Sequence, residues 1–153
     1  MRRLLLMLSV VLIIGTIVGC VPPGGRKARS GGDETFHVTM SPSWASIEWK
    51  EGLDYDKAWR NVFEVIARKF PLRTIDKENG YLQTDWASCY SGSCTENYQT
   101  RVTVIFHRDS KKLDFRSEAQ IYNPGIGWSI GTDTKLSEDM KTLIMGTIGR
   151  TAR

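Results

Sequence analysis

Thiols and imidazoles are the groups most able to do chemistry in this 153-residue chain, which holds three cysteines, Cys20, Cys89 and Cys94, and two histidines, His37 and His107. Cys89 and Cys94 flank Tyr90-Ser91-Gly92-Ser93. A four-residue spacer lets two cysteines face each other across paired strands, within the ~5.5–6 Å Cα separation that a disulfide prefers. A redox pair is more often C-x-x-C beside a helix start. Zinc needs two further ligands, and His37 and His107 lack a diagnostic spacing. A nucleophilic Cys–His pair needs His107 at the hairpin tip, and nothing in the sequence places it there. The expectation is a structural disulfide, with redox, metal and free-thiol readings as the alternatives. Closing so short a loop contributes roughly 2 kcal/mol on the chain-entropy model.

No P-loop, G-x-S-x-G, H-E-x-x-H or helix-opening G-x-G-x-x-G is present. Asp85, Asp114 and Glu118 project from expected strands and read as a solvated face, and His107 reads as an exposed strand end. The chain is therefore expected to be non-enzymatic, with no catalytic residue, no metal site and no cofactor beyond a covalent lipid.

That lipid is implied by the N-terminus. Arg2 and Arg3 precede an apolar run over residues 4–18, broken only by Ser9, Gly15 and Thr16. This is the layout of a secretory signal, slightly short of the ~20 residues of a spanning helix. It ends in Ile17-Val18-Gly19-Cys20, which resembles the lipobox of bacterial lipoproteins. The resemblance implies that residues 1–19 are removed, that Cys20 is lipidated, and that the remainder is extracytoplasmic. Val21 after the cysteine, in place of Asp, resembles lipoproteins sorted to the outer membrane, so the expected location is its periplasmic face. An uncleaved anchor helix is the alternative.

Processing changes the charge arithmetic. Removing Arg2 and Arg3 leaves 19 basic against 17 acidic residues, so the formal charge falls from +4 to +2. That surplus is too small to argue for a nucleic-acid partner. With 41% apolar and 25% charged residues, the chain is neither wholly disordered nor a multi-span membrane protein. Residues 20–34 are rich in Pro, Gly and charge and read as the lipidated cysteine plus a flexible tether, with a root-mean-square span of roughly 20 Å.

Residues 35–153 then read as a single α+β domain. Phe36, Val38 and Met40 alternate as in a short strand, and Trp44, Ile47 and Trp49 suggest a second extended piece. Asp54 is placed to cap a helix whose apolar residues Tyr55, Ala58, Trp59, Val62, Phe63, Ile66, Ala67 and Phe70 recur at spacings of three and four. Pro71 stops it. Strands follow over residues 72–76 and 81–88, joined by Lys77-Glu78-Asn79-Gly80, with Leu82, Thr84 and Trp86 on one face. A third covers residues 95–108 and groups Val102, Val104 and Phe106. A fourth alternates Leu113, Phe115, Ser117, Ala119 and Ile121 with Lys112, Asp114, Arg116, Glu118 and Gln120, the pattern of an antiparallel strand with one wet face. Ser137 is expected to cap a last helix buried through Leu136, Met140, Leu143, Ile144 and Ile148. The fold expected is an antiparallel sheet of about four to five strands with two helices packed on one face.

Between the fourth strand and that helix lies Asn123-Pro124-Gly125-Ile126-Gly127-Trp128-Ser129-Ile130-Gly131. Its glycines give mobility while Ile126, Trp128 and Ile130 offer apolar contact, which suits partner binding. Alternatively the segment packs beneath the last helix or forms a fifth strand.

Asp56-Lys57-Ala58-Trp59, Phe70-Pro71-Leu72, the stretch from Ile75 through Asn79-Gly80 to Leu82, and Thr84-Asp85-Trp86 resemble the repeated domain of the BamC (NlpB) family, over about residues 54–90. These are outer-membrane lipoproteins of the β-barrel assembly machinery. The resemblance implies a helix-grip domain, with a long helix lying against an antiparallel sheet. That family carries two such domains and a long N-terminal region, and the Cys89/Cys94 pair is not part of its pattern. Function is thus expected to be that of a membrane-anchored lipoprotein binding an envelope protein, in outer-membrane assembly or maintenance. The alternative is a small-ligand or lipid carrier with a cavity between helix and sheet.

Overall fold

The computed structural model describes residues 35–90, 93–94 and 96–149, with only the backbone described at residues 89, 90, 93 and 94. The signal segment, Cys20 and the tether lie outside the described residues, and no described helix is long and apolar enough to cross a membrane. Nine strands and two helices are described: β1 (Phe36–Val38), β2 (Ala45–Glu48), α1 (Tyr55–Ala67), β3 (Leu72–Asp76), β4 (Tyr81–Thr84), β5 (Cys89–Tyr90), β6 (Ser93–Cys94), β7 (Tyr98–His107), β8 (Lys112–Asn123), β9 (Gly127–Asp133) and α2 (Thr134–Ile148).

Local chemistry explains most boundaries. The Asp54 carboxylate accepts the Lys57 N–H at 2.8 Å, capping α1 as its position suggests. Past Ala67 the Ile66 carbonyl accepts the N–H groups of both Lys69 and Phe70 at 2.9 Å, so the last turn tightens. Phe70 is buried beyond the helix end, while Ala67 is exposed. In the β3–β4 turn the Asp76 carboxylate accepts the Asn79 backbone and side-chain N–H groups at 3.0 and 2.8 Å. Gly80 has φ +71°, and a Cβ there would meet the Phe106 carbonyl oxygen at 2.7 Å. Only glycine lets the turn close against β7.

All strand pairs are antiparallel, in the order β1-β9-β8-β7-β4-β3. The twelve residues of β8 are long enough to hold two neighbours on one edge: β9 pairs with Ala119–Asn123 and β2 with Lys112–Phe115. Seven strands therefore form the main sheet, and β5–β6 make a separate two-stranded ladder. This exceeds the four to five expected from the sequence because residues 36–38 and 45–48 both pair and the glycine-rich segment is itself a strand. Within it, Gly125 and Gly127 (φ +89° and +90°) make the turn. Gly131 lies under the Phe36 ring, where a Cβ would fall 2.6 Å from a ring carbon.

One face of the sheet is dry. Leu82, Val102, Val104, Phe106, Leu113 and Phe115 lie beneath Ala58, Trp59, Val62 and Ile66 of α1 and Leu136, Met140, Ile144 and Ile148 of α2, all buried in a single cluster. Both helices thus cover the same face, as the amphipathic patterns require. Around Phe106 gather Trp49, Tyr55 and Trp59, with ring centroids 6.1, 5.9 and 5.0 Å away. Such contacts each add about 0.5–1.5 kcal/mol beyond area burial.

The last helix starts earlier than Ser137. Its cap is Asp133, whose carboxylate accepts the Leu136 N–H at 3.0 Å, the Thr35 hydroxyl at 2.8 Å and the Tyr98 hydroxyl. Two of those donors come from β7 and from the residue before β1, so the choice of cap is tertiary. Asp133→Ala removes a cap and the acceptor for two further donors, and should lower unfolding free energy by about 2–4 kcal/mol. Asp133→Asn, which keeps an acceptor oxygen, should lose less than half as much. Urea midpoints at unchanged m-value test both, and equal losses from the two substitutions would contradict this account.

Candidate partner-binding surface

Period-two alternation sends the other half of the strand residues to the face opposite the helices. From the pairing register, successive rows across that face read Trp128–Tyr122, Ile130–Gln120–Gln99, Glu118–Arg101, Arg116–Thr103–Gln83 and Ser46–Asp114–Ile105–Tyr81. Trp44 sits beside Arg116, its ring 4.7 Å below that guanidinium.

Ile126, Trp128 and Ile130 occupy the β8–β9 hairpin at one end of this face. Ile126 is in the turn and 81% exposed, while Trp128 and Ile130 are strand residues exposed by 42% and 48%. They do not pack beneath the last helix. Trp128 and Ile130 belong to a strand and Ile126 to its turn, so a hydrogen-bonded hairpin stands where a mobile loop is expected. Tyr122, which the sequence reading names in neither the fourth strand nor the loop, tilts against Trp128 at 5.5 Å and is itself 40% exposed. Val38 of the adjoining β1 and Met40, two residues beyond that strand, are also exposed.

Charge in the middle of the face is not simply solvated. Glu118, expected on a wet face, is 6% exposed. Its Oε2 accepts from Arg101 Nε and Nη2 at 2.9 and 2.8 Å, and its Oε1 lies 3.5 Å from Arg116 Nη2. Arg101 in turn lies 4.5 Å from the Trp86 ring. Trp86 was expected beside Leu82 and Thr84. Leu82 pairs with Val104, whereas Ala87 bridges Thr100, so one extra residue intervenes on the β4 side. A single-residue bulge reverses the alternation and turns Trp86 outward to stack on Arg101.

Farther along, His107 Nε2 lies 2.8 Å from Asp114 Oδ2, while the Ser46 hydroxyl donates to Asp114 Oδ1. The three residue types of a hydrolytic triad are present, but both outer groups bond the carboxylate and the Ser46 hydroxyl is not aimed at the imidazole. Burial raises the Asp114 pKa, but hydrogen bonds from Ser46 and His107 and the charges of His107 and Lys112 outweigh it, so the net shift is downward. Asp85 instead accepts the Trp86 N–H at the bulge. Among the described residues no group of three or more His, Cys, Asp and Glu could hold a metal ion.

Cys89 and Cys94 are direct Cα partners in the β5–β6 ladder, which is the backbone arrangement a cross-strand disulfide needs. Their side chains, and Cys20, lie outside what is described. Two open surface clefts of about 450 and 290 Å³ are lined by Lys50, Lys141 and Met145 and by Trp49, Tyr55 and Arg108 respectively. Neither is walled by the sheet residues beneath the helices. No protein-family model and no curated protein matches this chain.

A folded-state pKa below the ordinary 3.8 means that Asp114 stabilises the protein fully above that value and ceases to as pH falls through the lowered one. Asp114→Asn should therefore cost about 1–2 kcal/mol at pH 7. The gap to the parent should close as pH drops from about 5 to below 3. Thermal midpoints measured across that range test this, and a gap independent of pH would refute it.

Proposed function

We propose that this chain is an extracytoplasmic lipoprotein, anchored through Cys20, whose α+β domain binds an envelope protein partner at the β8–β9 hairpin. The observation that carries the binding reading is the exposure of Ile126, Trp128 and Ile130 together with Tyr122 on one rigid hairpin. Aromatic and aliphatic side chains held in place by a ladder lose little entropy on docking, and they dominate the energetics of many interfaces. The lipobox resemblance supports the anchor, and the likeness of residues 54–90 to BamC lipoproteins supports a helix-grip description and a role in outer-membrane assembly or maintenance. The Cys89–Cys94 disulfide belongs to the same proposal, since an oxidising compartment favours it. A lipid carrier is less well supported, because the space between helices and sheet is occupied by side chains at 0–6% exposure.

Cys20→Ala should abolish incorporation of labelled fatty acid and release the protein from the membrane fraction. Photo-crosslinking residues placed at positions 126 and 128 should yield the same protein adduct in intact envelopes, while one at exposed Arg68, just past the end of α1, should not. Trp128→Ala should keep the thermal midpoint within the equivalent of about 1 kcal/mol, since the side chain is half-exposed. Reproducible extraction of a bound lipid, with no protein adduct from either position, would replace this reading by the carrier.

A further inference from the structure

Arg116 differs from Arg101 and Asp114, the charged groups beside it on the open face. Arg101 spends Nε and Nη2 on Glu118 at 2.9 and 2.8 Å. Asp114 is committed to Ser46 and His107, and Glu48 stands opposite Lys112. Arg116 is left with one contact of 3.5 Å to Glu118, longer than the roughly 2.7–2.9 Å of a charge-assisted hydrogen bond. Its Nε is sealed from solvent without a hydrogen-bond partner, although 26% of the side chain reaches the surface. The Trp44 ring, with its centroid 4.7 Å from the guanidinium carbon, packs against it. Two guanidinium groups therefore share one buried carboxylate, and the surplus positive charge sits on the arginine with the fewest hydrogen bonds.

We propose that Arg116 is a specificity contact for the partner: it receives an Asp or Glu side chain from the same protein segment that covers the β8–β9 hairpin. This rests on the partner-binding reading above and adds the partner's chemistry to it. Charge complementarity selects a carboxylate, and the fork of a guanidinium favours a planar two-oxygen acceptor over a point charge. The β8 register supplies a ruler. Arg116 lies four residues from Gln120, which pairs with Ile130, and six from Tyr122, which pairs with Trp128. At about 3.3 Å per residue these are spans of roughly 13 and 20 Å. A partner segment running extended along β8 must then carry its acidic residue about four to six positions from its apolar one.

The test uses the full-length chain in intact envelopes, with a photo-crosslinking residue in place of Trp128. Arg116→Glu and Arg116→Met should each cut the yield of the protein adduct about tenfold or more, as loss of a desolvated charge partner does. Arg116→Lys should retain more of it. Thermal midpoints near the parent value establish that the variants are folded, and Arg116→Met, which adds no like charge beside Glu118, serves if Arg116→Glu does not fold. In the Arg116→Lys chain, carbodiimide should couple the amine introduced at position 116 to an Asp or Glu of the same partner, about six residues from the site linked to position 128. Unchanged adduct yield in folded Arg116→Met overturns this proposal and leaves the partner reading standing. An adduct with lipid, or no protein adduct in the parent chain, overturns both.

Discussion

The ten consecutive pairs that join Tyr98–Ile121 through His107–Lys112 settle where every other part of this molecule can go. Successive side chains of a strand point to opposite faces, so one register divides β7 and β8 into Val102, Val104, Phe106, Leu113 and Phe115 on one side and Arg101, Thr103, Asp114, Arg116 and Glu118 on the other. A slip of one residue would put charge beneath the helices and leucine in water. The first set is broad and apolar enough to accept two helices at once, and both lie on it. No described element covers the second set, and it is there that rings and charges accumulate.

That uncovered face is organised more tightly than a solvated surface needs to be. Glu118 is almost fully buried without help from the helices, because Arg101, Arg116 and the rings stacked on them close over it. A carboxylate so placed is tolerated only while its cations stay. The hairpin beyond it keeps Tyr122, Trp128 and Ile130 in fixed positions, since they belong to a ladder and not to a loop. Together the two features make a surface whose chemical groups are already positioned before anything binds.

Much of this was legible from residue order alone. The spacing of apolar residues from Tyr55 to Ile66, the Asn79-Gly80 turn and the alternation from Leu113 to Ile121 each describe an element through local pattern, and each is found. What local pattern could not convey depends on partners far along the chain. The outward turn of Trp86 follows from a one-residue bulge against β7. Glu118 looks like a surface residue until Arg101 is placed opposite it. Asp133 and Ser137 are equally good capping residues by type, and only Tyr98 and Thr35 distinguish them. The segment from Gly125 to Gly131 reads as a loop because its glycines are conspicuous, yet two of them serve the turn and Gly131 makes room for the Phe36 ring. The sequence names the trio on that segment but leaves its exposure and its strand pairing open.

The bond from Thr35 to the α2 cap has a mechanical side. Thr35 is the first described residue, and its hydroxyl and carbonyl engage Asp133 and the Thr134 N–H, while Thr39 holds the Ile130 carbonyl at the other end of β1. Tension arriving from the preceding chain along the strand axis would load these bonds together, in shear, instead of unzipping them one by one. The load would reach the start of α2 through Asp133 and Thr134 and, through Thr39 and the β1–β9 pairs, β9 itself. The cap of α2 and the β8–β9 hairpin are thus mechanically joined through one short strand.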